Sequence, residues 1–208
     1  MTREEWLEER KKGIGGSDAA TIIGQNPYKS NVDLWEEKTG RKEAEDISNK
    51  PFVLYGTKME PILRESFKIK HPEYEVLHQE NTIIKHPKYP FLFASLDGQL
   101  IDKETGEMGI LEIKTSSILQ SMQKEKWNEK IPDNYYCQVL HYLNVTGYSF
   151  VQLYAELTYS DDYQALKTFT IKREDVEEDI KLLEKKEIEF WQNYVEKDIR
   201  PPRLLPNI

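Results

Sequence analysis

Glu112 and Lys114 stand two residues apart in G-I-L-E-I-K-T (109–115), a short apolar and β-branched run. On a strand, alternate side chains leave the same face, so this carboxylate and this ammonium emerge together. Both are costly to desolvate on a buried strand unless a ligand uses them. Fifteen residues upstream, the strand-like run F-L-F-A-S-L-D-G (91–98) ends in Asp97. An acid on one strand, then acid-x-lysine on the next, makes a platform for a divalent metal beside a phosphate, as in a nuclease. Alone, E-x-K is also a common solvated ion pair on the polar face of a sheet, worth little. Context shifts the balance: Ile110, Leu111 and Ile113 make the strand apolar on both faces, as in a sheet buried between layers.

The elements that must position these groups follow from periodicity and punctuation. A first helix spans Arg3 to Lys11 and stops near Gly13; Ser17 or Asp18 caps a short helix running to Gly24. Ser30 or Asn31 caps another through Trp35 to Thr39, which Gly40 ends, and a polar loop covers 41–50. From Phe52 to Lys70, Val53, Met59, Leu63 and Phe67 recur at helical spacing and place Glu60 on an apolar or small face. Strands are expected over 75–85, 91–101 and 108–115, the last two joined by the D-K-E-T-G turn. A polar stretch with Trp127 precedes a helix from Pro132 to Thr146, with proline in its first turn. Two further strands (148–157, 166–171) and a long helix from Arg173 to Lys197 complete a mixed sheet flanked by helices, an α/β (α+β) fold.

The chain has 208 residues, 38% hydrophobic and 32% charged, which suits one domain over 1–208 with a full core. It has no apolar run near the roughly 20 residues a membrane helix needs, and its charged N-terminus lacks a signal-peptide core. A single cysteine, Cys137, excludes an internal disulfide and a cysteine-ligated zinc or iron–sulfur site. A cytoplasmic protein is expected. The four histidines are scattered, which argues against a histidine metal site. A net charge of −8 argues against a general electrostatic DNA binder but leaves room for a local basic channel. Much of the acid lies near the N-terminus and over 174–196, faces expected to point away from DNA.

In order along the chain stand W-L-E-E-R ending in Arg10, I-G-G-S-D (14–18), Y-G-T-K-M-E-P with Glu60, L-D-G with Asp97, E-I-K, and Y-Y-C-Q-V-L-H-Y with Gln138. From Trp6 to about Thr146 this arrangement resembles the PD-(D/E)xK nuclease superfamily, and within it the phage lambda-type exonucleases and YqaJ-like viral recombinases. The resemblance implies a restriction-endonuclease-like core and a 5′ to 3′ exonuclease. Such an enzyme degrades one strand of linear double-stranded DNA to 5′-mononucleotides and leaves 3′ overhangs for recombination by strand annealing.

It further implies two Mg²⁺ ions, replaceable by Mn²⁺, held by Asp97, Glu112 and the carbonyl of Ile113, with Glu60 completing the site directly or through water. These are hard oxygen donors suited to such ions. Lys114 would orient or activate the water, and Gln138 would bond the water or the scissile phosphate. Arg10 and Ser17 would bind phosphate, the terminal 5′-phosphate included. By residue type alone, Gln138 reads as a solvated helix residue, and Arg10 with Ser17 as an exposed arginine and a cap. Tyr28 and Tyr135 or Tyr136 are candidates for base stacking and equally for core or surface tyrosines. A ring-shaped homotrimer, a single-strand annealing partner, DNA ends as substrate and a phage origin acting in the host cytoplasm also follow from the resemblance. The rivals are an endonuclease or repair nuclease on the same fold, and a catalytically silent DNA-end-binding protein.

Overall fold

The computed structural model describes residues 1–160 and 163–204. Its centre is a mixed five-stranded sheet in the order β1 (Tyr74–Leu77), β4 (Gly98–Asp102), β5 (Met108–Ile118), β6 (Phe150–Tyr159), β7 (Gln164–Lys172). The β5–β6 pairing is parallel and the others are antiparallel. A separate two-stranded ribbon joins β2 (Ile84–Lys85) and β3 (Phe93–Ala94). One face of the main sheet packs on α6 (Asp133–Thr146), which in turn packs on α2 (Gly16–Ile22) and α7 (Glu177–Phe190); α4 (Pro51–Lys70) covers the other. The alternation of β5 serves both layers: Ile110 and Ile118 join Val139 and Leu143 of α6, whereas Leu111 and Ile113 join Leu63 and Phe67 of α4. The mixed, helix-flanked sheet expected from the sequence is present, and no helix among the described residues is long and apolar enough to cross a membrane.

Local departures have physical reasons. The strands expected over 75–85 and 91–101 are each divided between the two sheets. In the first, the polar run from His78 turns the chain through Asn81 at φ +54, a region asparagine tolerates. In the second, Leu92 bridges Ile14 in parallel, and Ser95 accepts the Trp6 indole N–H while donating to the Thr82 carbonyl. The bridge brings Gly13 so close that a Cβ there would lie 2.2 Å from the Phe91 carbonyl oxygen. Asp97 therefore stands just before β4 rather than at the end of a strand.

Helix α2 starts at Gly16 with Gly15 at the cap position, so neither Ser17 nor Asp18 caps it, and it stops at Ile22 rather than Gly24. The Asp18 carboxylate instead accepts the Gly15 N–H at 3.2 Å and pairs with Lys38, on α3 (Asn31–Lys38), at 2.8 Å. The polar stretch before Trp127 contains a short exposed helix, α5 (Ser121–Lys126), that has no apolar face to betray it. Pro132 occupies the cap position of α6 rather than its first turn. The expected terminal helix is a 3-10 turn (Arg173–Asp175), then α7, then a π-helical turn (Trp191–Val195).

Two buried carboxylates anchor the layers. The His141 imidazole on α6 donates from Nε2 to the Phe93 carbonyl at 2.8 Å and meets the Glu187 carboxylate of α7 at 2.6 Å through Nδ1. Burial pulls the His141 pKa down most strongly, but the Glu187 charge and the hydrogen bonds to Glu187 and the Phe93 carbonyl act together to make the net shift upward. On the other face, the Tyr55 hydroxyl of α4 donates to the buried Glu156 carboxylate of β6 at 2.7 Å. Tyr55→Phe leaves that carboxylate oxygen without its donor, so unfolding free energy should drop by about 1–3 kcal/mol. Chemical denaturation of the two proteins checks this, and an unchanged midpoint would contradict it.

Candidate active site

The antiparallel β4–β5 ladder ends at the Gly98–Leu111 pair, which leaves the next stretch of β5 without a strand on that edge. Asp97 fills the place: its Oδ2 accepts the Ile113 N–H at 2.8 Å. The N–H and C=O of one strand residue point to the same edge, so the Ile113 carbonyl faces the same opening. That opening is a cleft of about 580 Å³ lined by Asp97, Glu112, Ile113, Lys114, Glu60 and Gln138. The side chains expected to act together from sequence therefore meet there.

Glu112 is 1% exposed and lies on the α6 side of β5. Its Oε1 accepts from Lys114 Nζ at 2.6 Å and from Gln138 Nε2 at 2.8 Å, while the Gln138 Oε1 accepts from Lys114 Nζ at 3.0 Å. Gln138 thus bonds to both partners. Its own amide also donates to the Tyr142 hydroxyl, one turn along α6, at 3.0 Å. The Tyr135 ring lies under the ammonium, 4.8 Å from its centroid. Burial pulls the Lys114 pKa down, but the charges of Glu112 and Asp97 more than offset this, so the side chain remains an ammonium.

The acids are electrostatically crowded. Burial, then the Asp97 charge, pushes Glu112 up to about 8, against the pull of Lys114. Burial raises Asp97 as well, and burial with the Asp97 charge raises Glu60. Glu112 Oε2 is buried with no hydrogen-bond partner, an expensive condition for a carboxylate oxygen. An orphaned carboxylate oxygen, a neighbouring acid and the Ile113 carbonyl suit a hard divalent cation. Among the described residues no three His, Cys, Asp or Glu side chains stand in ligating arrangement, and the Glu60 carboxylate pairs with Arg64. The donor set that fits is Asp97, Glu112 and the Ile113 carbonyl, with Glu60 at the rim.

At one end of the cleft, α1 (Arg3–Lys11) presents Arg3, Trp6 and Arg10 on one face, together with Ser17. The Arg10 guanidinium stacks on the Trp6 ring, 4.3 Å from its centroid. Glu4, Glu5 and Glu8 are exposed elsewhere on that helix. Tyr28 does not line this cleft and is 94% exposed; Tyr136 is also outside it, its hydroxyl donating to Asp179 at 2.6 Å. Sequence reasoning passed over Arg64, His78, Trp6 and Tyr142, all of which line the cleft. Three of them sit four residues from a residue it had chosen (Arg64 from Glu60, Tyr142 from Gln138, Trp6 from Arg10), the spacing that stacks side chains on a helix.

The sequence profile of the YqaJ-like viral recombinase domain matches residues 5–149. The chain belongs to this family. It is 37% identical over 208 residues to the Bacillus subtilis (strain 168) protein YqaJ, covering 94% of this chain and 57% of that protein. The chain thus spans little more than half the length of that relative. In fold it is similar to an alkaline exonuclease from Laribacter hongkongensis (LHK-Exo), with a TM-score of 0.69, 21% identity and coverage of 94% and 93% of the two chains. LHK-Exo has also been crystallised with dAMP. A phage-related exonuclease from Haemophilus somnus 129PT has a TM-score of 0.52 at 11% identity, covering 89% and 96%. The YqaJ-like match holds every cleft residue named above except Arg3, and β6, β7 and α7 lie beyond it.

Proposed function

We propose that this YqaJ-like domain is a Mg²⁺-dependent 5′ to 3′ exonuclease. In this reading it degrades one strand of linear double-stranded DNA to 5′-mononucleotides and leaves 3′ overhangs for recombination by strand annealing. The observation that carries it is the unpartnered Glu112 Oε2 beside Asp97, with Lys114 held on the same carboxylate. Asp97, Glu112 and the Ile113 carbonyl would hold Mg²⁺ or Mn²⁺, with Glu60 completing the site directly or through water. Such an ion would polarise the scissile phosphate and lower the pKa of the attacking water. Lys114, kept protonated by its neighbours, donates to the phosphate as negative charge builds on it. Gln138 keeps Lys114 and Glu112 in register. The dAMP complex of LHK-Exo supports a mononucleotide product.

In the same reading, Arg10 and Ser17 bind the terminal 5′-phosphate, with Arg10 pre-aimed by the Trp6 ring. Arg10→Ala should raise KM for 5′-phosphorylated ends by about 10- to 100-fold and erase their advantage over 5′-hydroxyl ends. Steady-state rates on the two duplexes check this; a preserved preference would remove Arg10 from the phosphate site. One domain over 1–208, acting in the cytoplasm, would carry the activity, working with a single-strand annealing protein. A ring of three copies around the duplex would retain DNA despite the net charge of −8; light scattering should then give three times the chain mass.

Direction is tested with a duplex carrying one 5′-phosphate and internal labels at known distances from each end. Loss of label should proceed from the phosphorylated 5′ end as 5′-mononucleotides. Loss from 3′ ends would overturn the direction, and release of long fragments would favour an endonuclease.

A further inference from the structure

Arg64 is 8% exposed and lies one helical turn beyond Glu60 on α4. Its Nε donates to the backbone carbonyl of Asp97 at 2.7 Å, 33 residues away in sequence, while its Nη2 pairs with Glu60 Oε1. One rigid guanidinium therefore ties together two acids that reach the cleft from separate elements. An exposed i,i+4 pair would contribute little. Here the group is buried, and one of its donors is committed to the main chain of the residue that bonds Ile113.

Asp97 is consequently anchored twice, through its Oδ2 and through its carbonyl, although it lies outside regular strand structure. Only its remaining carboxylate oxygen is uncommitted by these bonds. We propose that Arg64 is the positioning residue of the cation site, fixing the separation of Glu60 and Asp97 so that both can serve one divalent ion. This rests on the metal-dependent reading above. A lysine cannot take over, because a single ammonium lacks the planar fork that spans both acceptors.

The test is a calorimetric Mn²⁺ titration of the DNA-free wild type, Arg64→Lys and Arg64→Gln proteins, with folding verified by circular dichroism. Arg64→Lys keeps the charge and serves if Arg64→Gln does not fold. The expected result is a loss of about 10- to 100-fold in Mn²⁺ affinity in Arg64→Lys, the usual effect of removing an outer-shell partner. With DNA, kcat should fall at Mg²⁺ levels that saturate the wild type and recover as Mg²⁺ rises, while KM for DNA stays within about twofold. Equal Mn²⁺ affinity in wild type and Arg64→Lys overturns this inference alone, as does a defect confined to KM for DNA. Absence of Mn²⁺ binding by the wild type overturns the metal reading and this inference with it.

Discussion

Lys114→Ala should slow degradation of a linear duplex by about 10³-fold, the scale of removing one pre-aimed donor to a transition-state oxygen. DNA affinity measured with Ca²⁺ should change little. The side chain is placed by three contacts that need no DNA: the Glu112 carboxylate, the Gln138 amide oxygen and the Tyr135 ring. None of this holds the ammonium for stability alone, since an ion pair this buried is weakly stabilising at best. Removing the lysine leaves Glu112 able to take a proton, because burial already pushes its pKa up to about 8. The variant should therefore remain folded, and its loss should fall on kcat. A drop confined to KM would make Lys114 a DNA-binding residue instead.

Divalent cation should raise the melting temperature by about 5–10 °C at roughly a hundredfold excess over Kd, from mass action on a domain of this size. The shift should grow with pH. Glu112, Asp97 and Glu60 all have folded pKa values above their ordinary ones, so the folded protein holds protons that the unfolded chain has released. Their contribution to stability is complete below the ordinary carboxylate range and is lost as pH rises, for Glu112 through about 8. Lys114 has a raised pKa, so its contribution fades only above the ordinary lysine value, outside that window. The metal-free protein should thus weaken between about pH 5 and pH 8, where a cation, competing with protons for the same oxygens, restores most. Glu112→Gln should abolish the cation-induced shift. Differential scanning fluorimetry at pH 5, 6.5 and 8 measures it, and a pH-independent shift retained in the variant would place the ion elsewhere.

The acids were legible because each lies in a local pattern that survives without tertiary information. Glu112 and Lys114 are set in an apolar strand, Asp97 follows an apolar run, and Glu60 interrupts a helix face. The sheet's burial on both faces was readable for the same reason. The division of 75–85 and 91–101 was not, because it depends on Leu92 leaving the sheet to meet Ile14, a contact no local period encodes. Helix α5 escaped because every residue in it is exposed, leaving no periodicity to detect. Arg64 and the His141–Glu187 pair were invisible because a buried charge on a helix looks like any other until its distant acceptor is seen.

The most direct measurement of the central claim is a time course on end-labelled linear duplex and on covalently closed circular duplex of the same sequence, each with Mg²⁺ and with EDTA. The account predicts stepwise release of 5′-mononucleotides from the linear DNA in Mg²⁺ alone, with the circle intact. Linearisation of the circle would contradict it in favour of an endonuclease, and an inert protein on both substrates would leave a DNA-end-binding module in place of an enzyme.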